Sequence, residues 1–311
     1  MTFLSPLLNA APGAISQGLL WGIMAIGVYI TYRILDVADL TVDGTLATGG
    51  AVCIMLMRSG FNPWLALLCA FLAGLLAGLA TGVLHTRCGI PAILSGILTQ
   101  LALYSINLRI MGGKSNQPIS VDKYNLVVSQ RYVTEFSLRN PLIPAVVTLV
   151  VLIAILYWFF GTEYGSALRA TGANPHMASA QGIDTRVSVT VGLMLSNGLV
   201  ALAGALLAQY QGATDVNMGR GAIVIGLAAV IIGDVLLGKV FRNFALKLCT
   251  VVVGAVVYYL VLQIVLQLGL NTNDLKLFTA LIVALFLSIP YWKGNVFKKR
   301  AAKTAGGERH A

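Results

Sequence analysis

Residues 165–186, with the sequence GSALRATGANPHMASAQGIDTR, form a polar stretch between two long apolar runs at 141–160 and 187–209. Each run has about the 20 residues that an α-helix needs to cross the roughly 30 Å hydrocarbon core of a bilayer. The whole chain is 58% hydrophobic and only 10% charged, whereas a soluble domain carries about 25% charged residues. The polar stretch is therefore predicted to connect two membrane spans of an all-α polytopic membrane protein.

Apolar runs of this kind recur along the chain and predict about nine membrane segments, within a range of about eight to ten. They cover residues 14–32, 41–58, 63–83, 91–110, 141–160, 187–209, 221–238, 246–269 and 274–291. Backbone groups in lipid must find hydrogen bonds within their own segment, so each segment is expected to be helical. The second segment contains Asp43 among the glycines Gly44, Gly49 and Gly50, which suggests a broken or re-entrant helix that lines a cavity.

The distribution of charge predicts the orientation. Of the 21 basic residues, six lie between Lys293 and Arg309, in a tail that is expected to lie in the cytoplasm against anionic lipid. With nine spans the N-terminus is then outside, residues 33–40 form a cytoplasmic connection and residues 111–140 form an external loop. This interpretation gives one transmembrane domain over residues 1–292 and a basic cytoplasmic tail over residues 293–311. It also disfavours nucleic-acid binding, because the remaining basic residues are spread over several loops.

The polar stretch itself carries the signals of two short helices. Ser166 is predicted to cap the first helix, and Gly172 to end it as a hinge. Asn174 and Pro175 are predicted to start the second, since the asparagine side chain caps a helix and proline fits the first helical position. Gly182 is predicted to end it. Isolated helices shorter than about 12–15 residues are marginal in water, so this element needs a docking surface, which is either the protein's own helix ends, lipid headgroups or a partner protein.

No catalytic or metal-binding set emerges from the sequence. Residues 233–240, GDVLLGKV, approach the phosphate-loop pattern, but Val240 stands where a hydroxyl is needed for Mg²⁺, and the stretch ends an apolar run. The histidines at positions 85, 176 and 310 lie outside the apolar segments, so a membrane-embedded serine has no base. The four cysteines show neither paired nor metal-binding spacing. We therefore expect no enzymatic activity, metal ion or cofactor in this chain.

Polar side chains inside the predicted segments are the candidates for a translocation path. An ionised aspartate at the centre of a span costs about 2.5–3.5 kcal/mol on insertion scales, so such residues usually face a cavity or a polar partner. The candidates are Asp43, Gln100, Asn107 and Asn197, and the glycines around Asp43 favour it over the others. Hydrogen bonds between helices, or a position near the membrane interface, would explain the same residues without a path.

Small residues recur every four positions in the third segment, at Ala66, Ala70, Gly74, Gly78 and Gly82. This spacing gives the helix one smooth face, along which another helix can approach closely. Packing within the chain is the favoured interpretation, and a seam between two copies of the chain is the alternative.

The stretch LRATGANPHMASAQGI closely resembles the cytoplasmic coupling segment of ABC-transporter permeases of the branched-chain amino-acid and ribose importer type. That family carries the pattern R-A-x-G-x-N-x-x-A-A-x-x-x-G-I. The matching residues are Arg169, Ala170, Gly172, Asn174, Ala178, Gly182 and Ile183. Ser179 stands where the family often has a second alanine. The resemblance extends to residues 36–52 and 219–238 and covers most of the predicted spans.

The resemblance implies a permease subunit of an ATP-driven, binding-protein-dependent importer in the bacterial cytoplasmic (inner) membrane. The implied partners are two ABC ATPase subunits, a second permease chain in a homodimer around a central path, and an extracytoplasmic substrate-binding protein. Residues 165–183 are then the coupling element that receives the motion of the ATPases. The subgroup is associated with aromatic amino acids such as tryptophan or tyrosine. The alternative is a secondary transporter or channel that works alone, although the sequence has few of the membrane carboxylates that proton or Na⁺ coupling needs.

Overall fold

A computed structural model gives the chain a helical architecture. The structure describes residues 4–121, 123–124, 126–133, 140–238 and 243–267, and beyond them the helical residues 277, 279–281, 283–285 and 288. The helices are α1 (Leu4–Tyr29, continued by a π-helical turn over Ile30–Ile34), α2 (Val42–Arg58), α3 (Pro63–Thr86), α4 (Ala92–Ile110), α5 (Leu142–Gly161), α6 (Glu163–Ala173), α7 (Pro175–Ala180), α8 (Thr185–Gln211), α9 (Ala222–Leu237) and α10 (Phe244–Gln267). Two short strands, β1 (Asn116–Pro118) and β2 (Ala213–Asp215), pair antiparallel.

Within the described part of the chain, six helices are long and apolar enough to cross a membrane: α1 with its π-helical turn, α3, α4, α5, α8 and α10. The predicted all-α polytopic architecture is thus confirmed, but the count of nine segments is not. Segments 41–58 and 221–238 form α2 and α9, which have 17 and 16 residues, fewer than the about 20 needed for a full crossing. Most of segment 274–291 and all of the predicted tail 293–311 lie outside the described residues.

Helices α1 and α8 form the centre of the protein, and α2, α3, α9 and α10 pack around them. The spans of α1 and α8 are each 78% buried, whereas those of α4 and α5 are 28% and 17% buried. The outer faces of α4 and α5 carry large exposed apolar side chains such as Leu101 and Val150. Contiguous apolar surface of this kind is suited to lipid or to another membrane protein.

Helix α2 runs without interruption from Val42 to Arg58, so the break suggested for the second segment does not lie within it. The irregular backbone comes before the helix, where residues 35–41 run from the end of α1 into the buried interior. The glycines of α2 instead allow close packing. A Cβ at Gly44 would lie 3.1 Å from the Cα of Gln100 on α4, and Gly49 lies directly against the backbone of α8.

The small-residue face of α3 packs against α8 of the same chain. Ala66 is fully buried. A Cβ at Gly78 would lie 2.6 Å from the Cα of Met194, and one at Gly82 would lie 3.0 Å from the Cα of Thr190. The favoured interpretation, packing within the chain, is therefore confirmed.

Replacing Gly78 with leucine is expected to separate α3 from α8, because the new side chain would meet the backbone of Met194. Overpacking of this kind costs roughly 1–3 kcal/mol. The thermal unfolding midpoint of the purified protein in detergent should therefore fall by several degrees. The matched control is Leu76→Ala on an exposed part of the same helix, which should leave the midpoint unchanged. Equal shifts in the two variants would contradict the packing assignment.

The strand pair ties two connections together. Strand β1 belongs to the α4–α5 connection and β2 to the α8–α9 connection, with Asn116 opposite Asp215 in the register. The backbone N–H of Ile119 donates to the carbonyl of Gly212 at 2.9 Å, and the guanidinium of Arg58 at the end of α2 donates to the side chain of Gln117. The described part of the predicted loop 111–140 is therefore anchored to the rest of the molecule.

Candidate functional site

Helices α6 and α7 correspond to the predicted coupling element, and they follow α5 and precede α8 in the sequence. The cap of α6 is Thr162, whose hydroxyl oxygen accepts the backbone N–H of Gly165 at 3.4 Å. Helix α6 continues past Gly172, and the bend between the two helices is at Asn174, where the backbone is extended (φ −159°, ψ 98°). The predictions that Ser166 caps the first helix and that Gly172 ends it as a hinge are therefore wrong.

The predicted start and end of α7 are confirmed. The side-chain oxygen of Asn174 accepts the backbone N–H of Met177 at 3.0 Å, and Pro175 occupies the first helical position. Gly182 has the positive φ of 83° that ends a helix with little strain in glycine alone. Asp184 then caps α8 by accepting two backbone N–H groups from that helix, at 3.0 and 3.2 Å. Each short helix thus has a defined start.

Glycines bring α6 against its neighbours at both ends. Gly165 lies directly on the backbone of Phe160 at the end of α5. A Cβ at Gly172 would lie 2.7 Å from the carbonyl carbon of Ile34, the last residue of the π-helical turn of α1. Leu168, between the two glycines in the sequence, is buried and packs at Gly192 of α8. Helix α6 is therefore fixed to the segment that leads from α1 to α2.

The outer face of the same element is open. Of the predicted coupling residues, Ala178 is buried, Gly172 and Ile183 are half-buried, and the exposed ones are Arg169, Asn174, Pro175 and Gly182. Met177 on α7 is 63% exposed. The element thus combines close packing of α6 at Gly165 and Gly172 with exposed residues that include the large apolar side chain of Met177.

Asp43 caps a helix other than its own. Its two carboxylate oxygens each accept one backbone N–H, from Gly221 and from Ile223, both at 3.0 Å. N–H groups at the start of a helix have no partner within the helix, and the helix dipole favours a negative charge there. Since Gly219 also lies directly against the backbone of Asp43, the start of α9 is held on the first turn of α2.

A buried carboxylate, Asp39, is absent from the predicted site residues, because residues 33–40 are predicted to form a cytoplasmic connection. Asp39 is 3% exposed and accepts the backbone N–H of Thr41 at 2.9 Å and the side-chain amide of Asn197 at 2.7 Å. The hydroxyl of Thr41 lies 2.7 Å from that of Thr81, which donates to Thr99 at 3.0 Å. An aspartate that bonds the N–H two residues ahead is a recognised turn signal, and that spacing could have located this residue.

The predicted path residues converge on the first turns of α2: Asp43, Gln100, Asn107 and Asn197. The side-chain oxygen of Asn197 accepts the hydroxyl of Thr45 at 2.7 Å. The side-chain amide of Asn107 donates to the carbonyl of Gly44 at 3.5 Å, and the Cα of Gln100 packs on the same glycine. Asn107 and Asn197 are buried and Gln100 is half-buried. These residues join α2 to α4, α8 and α9, and their role in a path stays a prediction.

The phosphate-loop-like stretch 233–240 begins inside an apolar helix. Gly233, the first residue of the phosphate-loop-like stretch, lies inside α9 and packs on the backbone of Thr250, while residues 239–240 lie outside the described chain. Among the described residues, no three His, Cys, Asp or Glu side chains lie close enough together to hold a metal ion. The polar centre around the start of α2 is held by hydrogen bonds among a carboxylate, amides and hydroxyls, and its members are Asp39, Thr41, Thr45, Thr81, Thr99 and Asn197.

Residues 12–289 match the protein family described as the branched-chain amino acid transport system permease component. The chain belongs to this family. The resemblance that the coupling stretch suggested is thereby confirmed, and the fold is that of a multi-pass transport subunit.

This permease is 40% identical to the tyrosine transport system permease protein of Clostridioides difficile (strain R20291), and the match covers 88% of each chain. It is 34% identical to an uncharacterized protein of Rickettsia prowazekii over 90% of the permease and 98% of the relative. It is 27% identical to the D-allose transport system permease protein of Escherichia coli (strain K12) over 79% of the permease and 71% of the relative. The relatives therefore include permeases for amino acids and for sugars.

Proposed function

We propose that the chain is the permease subunit of an ATP-driven importer in a bacterial inner membrane, and that it receives a small solute from an extracytoplasmic binding protein. The proposed solute is an amino acid, and an aromatic amino acid in particular. The 40% identity to a tyrosine transport permease over 88% of the chain supports this class, because the D-allose permease is less similar, at 27% identity.

The proposed partner of α6 and α7 is an ABC ATPase subunit, present in two copies in the complete transporter. The observation that carries this proposal is that the element is tightly packed in α6 and exposed in α7. Gly172 and Gly165 fix α6 to α1 and α5, while Met177 and Pro175 of α7 are exposed. A rigidly mounted, exposed element of this kind suits the transfer of motion from a second protein.

The path of that motion follows from packing. Helix α6 touches the end of α1 at Ile34, and residues 35–41 lead from there to α2. Asp39 and Thr41 fix the end of this segment to α8 and α3 through hydrogen bonds. We propose that a displacement of α6 shifts the start of α2, and that this shift changes access to the translocation path. Such coupling requires both sites to bias the same two-state equilibrium.

The proposed path lies between two permease chains in a homodimer, with Asp43, Gln100, Asn107 and Asn197 along it. The weakly buried outer faces of α4 and α5 support contact with a second chain. Because Asn107 and Asn197 are buried in this structure, they line the path only in a state in which α2 has moved.

The proposed orientation places α6 and α7 in the cytoplasm, where the ATPases lie. The end of α1 at Ile34 contacts α6, so the start of α1 lies at the opposite face. This arrangement supports an outside N-terminus. The described helical residues between 277 and 288 follow α10, and a return crossing there would bring the C-terminus to the cytoplasm.

The proposed function is tested by uptake of radiolabelled tyrosine into proteoliposomes that contain the permease, its ATPase and its binding protein. Met177→Glu places a charge on the exposed apolar side chain of α7 and should lower uptake about tenfold, the usual range of a coupling energy. Met177→Leu preserves the apolar surface and is the control, which should transport normally.

Two outcomes would contradict the proposal. Unchanged uptake in Met177→Glu would show that α7 is not the docking surface. Tyrosine flux through the permease alone, without ATPase, would identify a secondary transporter or channel instead.

A further inference from the structure

A basic cavity of about 370 Å³ lies between α1, α6 and α10. Three cationic side chains line it, one from each helix or its end: Arg33, Arg169 and Lys247. Tyr29 and Phe244 form apolar parts of the wall. The cavity lies directly behind the coupling element, since Gly172 of α6 also lines it.

The cavity has more positive than negative charge. Arg33 has one anionic partner, Asp234 at 3.7 Å, and within the described residues the side chains of Arg169 and Lys247 have no ion-pair or hydrogen-bond partner. Lys247 is in the first turn of α10, where the partial positive charge of the helix dipole adds to its own. A cation is unfavourable at that end of a helix, and a bound anion would offset the repulsion among these groups.

A second cavity, of about 470 Å³, adjoins the first and shares Arg169 and Phe244 with it. Its walls are aromatic. Trp158 is 71% exposed on the outer face of α5, and the rings of Phe160 and Phe244 are 4.8 Å apart. Because Tyr157 and Trp158 line this cavity and are both exposed, it opens at the outer surface of α5. Exposed tryptophan and tyrosine are typical of the membrane–water interface.

We infer that the two cavities together bind one anionic phospholipid. Its phosphate lies among Arg33, Arg169 and Lys247, and an acyl chain lies along Trp158 and Phe160. A free phosphate ion would use only the basic cavity, whereas a phospholipid uses both, and basic pockets at the cytoplasmic face are known to hold anionic headgroups. The bound headgroup joins α6 to α1 and α10, so it restrains the coupling element. The cytoplasmic position of the cavity and this last consequence rest on the proposed function, whereas lipid binding itself needs no ATPase.

The test measures quenching of tryptophan fluorescence by lipids with brominated acyl chains, in nanodiscs that contain the full-length permease. Brominated phosphatidylglycerol and brominated phosphatidylcholine are compared at the same low mole fraction in a phosphatidylcholine background. We expect stronger quenching by the phosphatidylglycerol, and we expect the difference to disappear in Trp158→Phe. Lys247→Gln should lower the apparent affinity about fivefold, whereas Arg33→Lys, which keeps the charge, should bind as the wild type does.

Arg87→Gln removes an exposed arginine at the end of α3 that does not line the basic cavity, and it should leave the quenching unchanged. Equal quenching by the two lipids, or equal losses in Arg87→Gln and Lys247→Gln, would overturn the assignment, since either would reflect general attraction to a basic protein. Displacement of the phosphatidylglycerol by millimolar inorganic phosphate would identify a soluble anion as the ligand and would also overturn it. If the wild-type permease shows the lipid-specific quenching but no ATP-driven uptake in the complete transporter, the proposed function alone is contradicted.

Discussion

Gly172→Leu is expected to abolish most ATP-driven uptake while the permease remains folded. A Cβ at this position would lie 2.7 Å from the carbonyl carbon of Ile34 and 2.9 Å from the Cα of Leu35, so the leucine forces α6 away from the end of α1. We expect at least about a tenfold loss of uptake, because the displaced helix no longer moves the segment that leads to α2. Uptake and ATP hydrolysis are measured together in proteoliposomes.

The expected signature is uncoupling, in which ATP hydrolysis continues and transport stops. Gly161→Leu is the matched control, since a Cβ there would meet no atom within 4 Å. Size-exclusion chromatography and the thermal midpoint separate uncoupling from misfolding. Normal uptake in Gly172→Leu, with the protein intact, would show that the contact between α6 and α1 does not transmit the motion.

Asp43→Ala is expected to detach the start of α9 from α2. The substitution leaves the N–H groups of Gly221 and Ile223 without their acceptor. Hydrogen bonds to a charged group each contribute about 1.5–3 kcal/mol, so the permease should lose roughly 3 kcal/mol or more of stability. We expect a thermal midpoint lowered by several degrees and uptake reduced to near background. Asp43→Asn retains one acceptor oxygen and should be intermediate in both measurements.

Asp215→Ala provides the comparison for this result. Asp215 also accepts a backbone N–H, from Asn217 at 2.7 Å, but in an exposed connection, where water replaces the lost acceptor. Its removal should therefore change the midpoint little. If Asp43→Ala has as small an effect as Asp215→Ala, then the α9 cap does not hold these two helices together.

The parts of the proposed coupling element that could be predicted are those set by local chemistry. An asparagine followed by proline begins α7, and a glycine with positive φ ends it, because capping depends only on neighbouring residues. The start of the first helix could not be predicted from local chemistry alone. Thr162 and Ser166 are both capable caps, and the docking of α6 on α5 and α1 decides between them. Gly172 was interpreted as a helix end, whereas its lack of a side chain serves a contact with Ile34.

The buried polar centre could be predicted only in part, because burial depends on residues far apart in the chain. Asp43 and Asn197 are polar residues within apolar runs, so the sequence alone identifies them as candidates. Asp39 lies in a short polar connection, and nothing local shows that Asn197, far along the chain, donates to it. The start of α9 also depends on residues far apart in the chain. The helix begins where its first N–H groups meet Asp43, and an apolar run in the sequence does not indicate that contact.

The contact between α3 and α8 also determines when the core of the protein can be completed. Helix α3 ends at residue 86, and α8 begins only at residue 185. At a synthesis rate of about 5–20 residues per second, α8 leaves the ribosome on the order of ten seconds after α3. During that interval the glycine face of α3 lacks its partner helix. The centre of the permease is therefore assembled late, and a truncated chain that stops before α8 leaves α3 without its partner, as a substrate for membrane quality control.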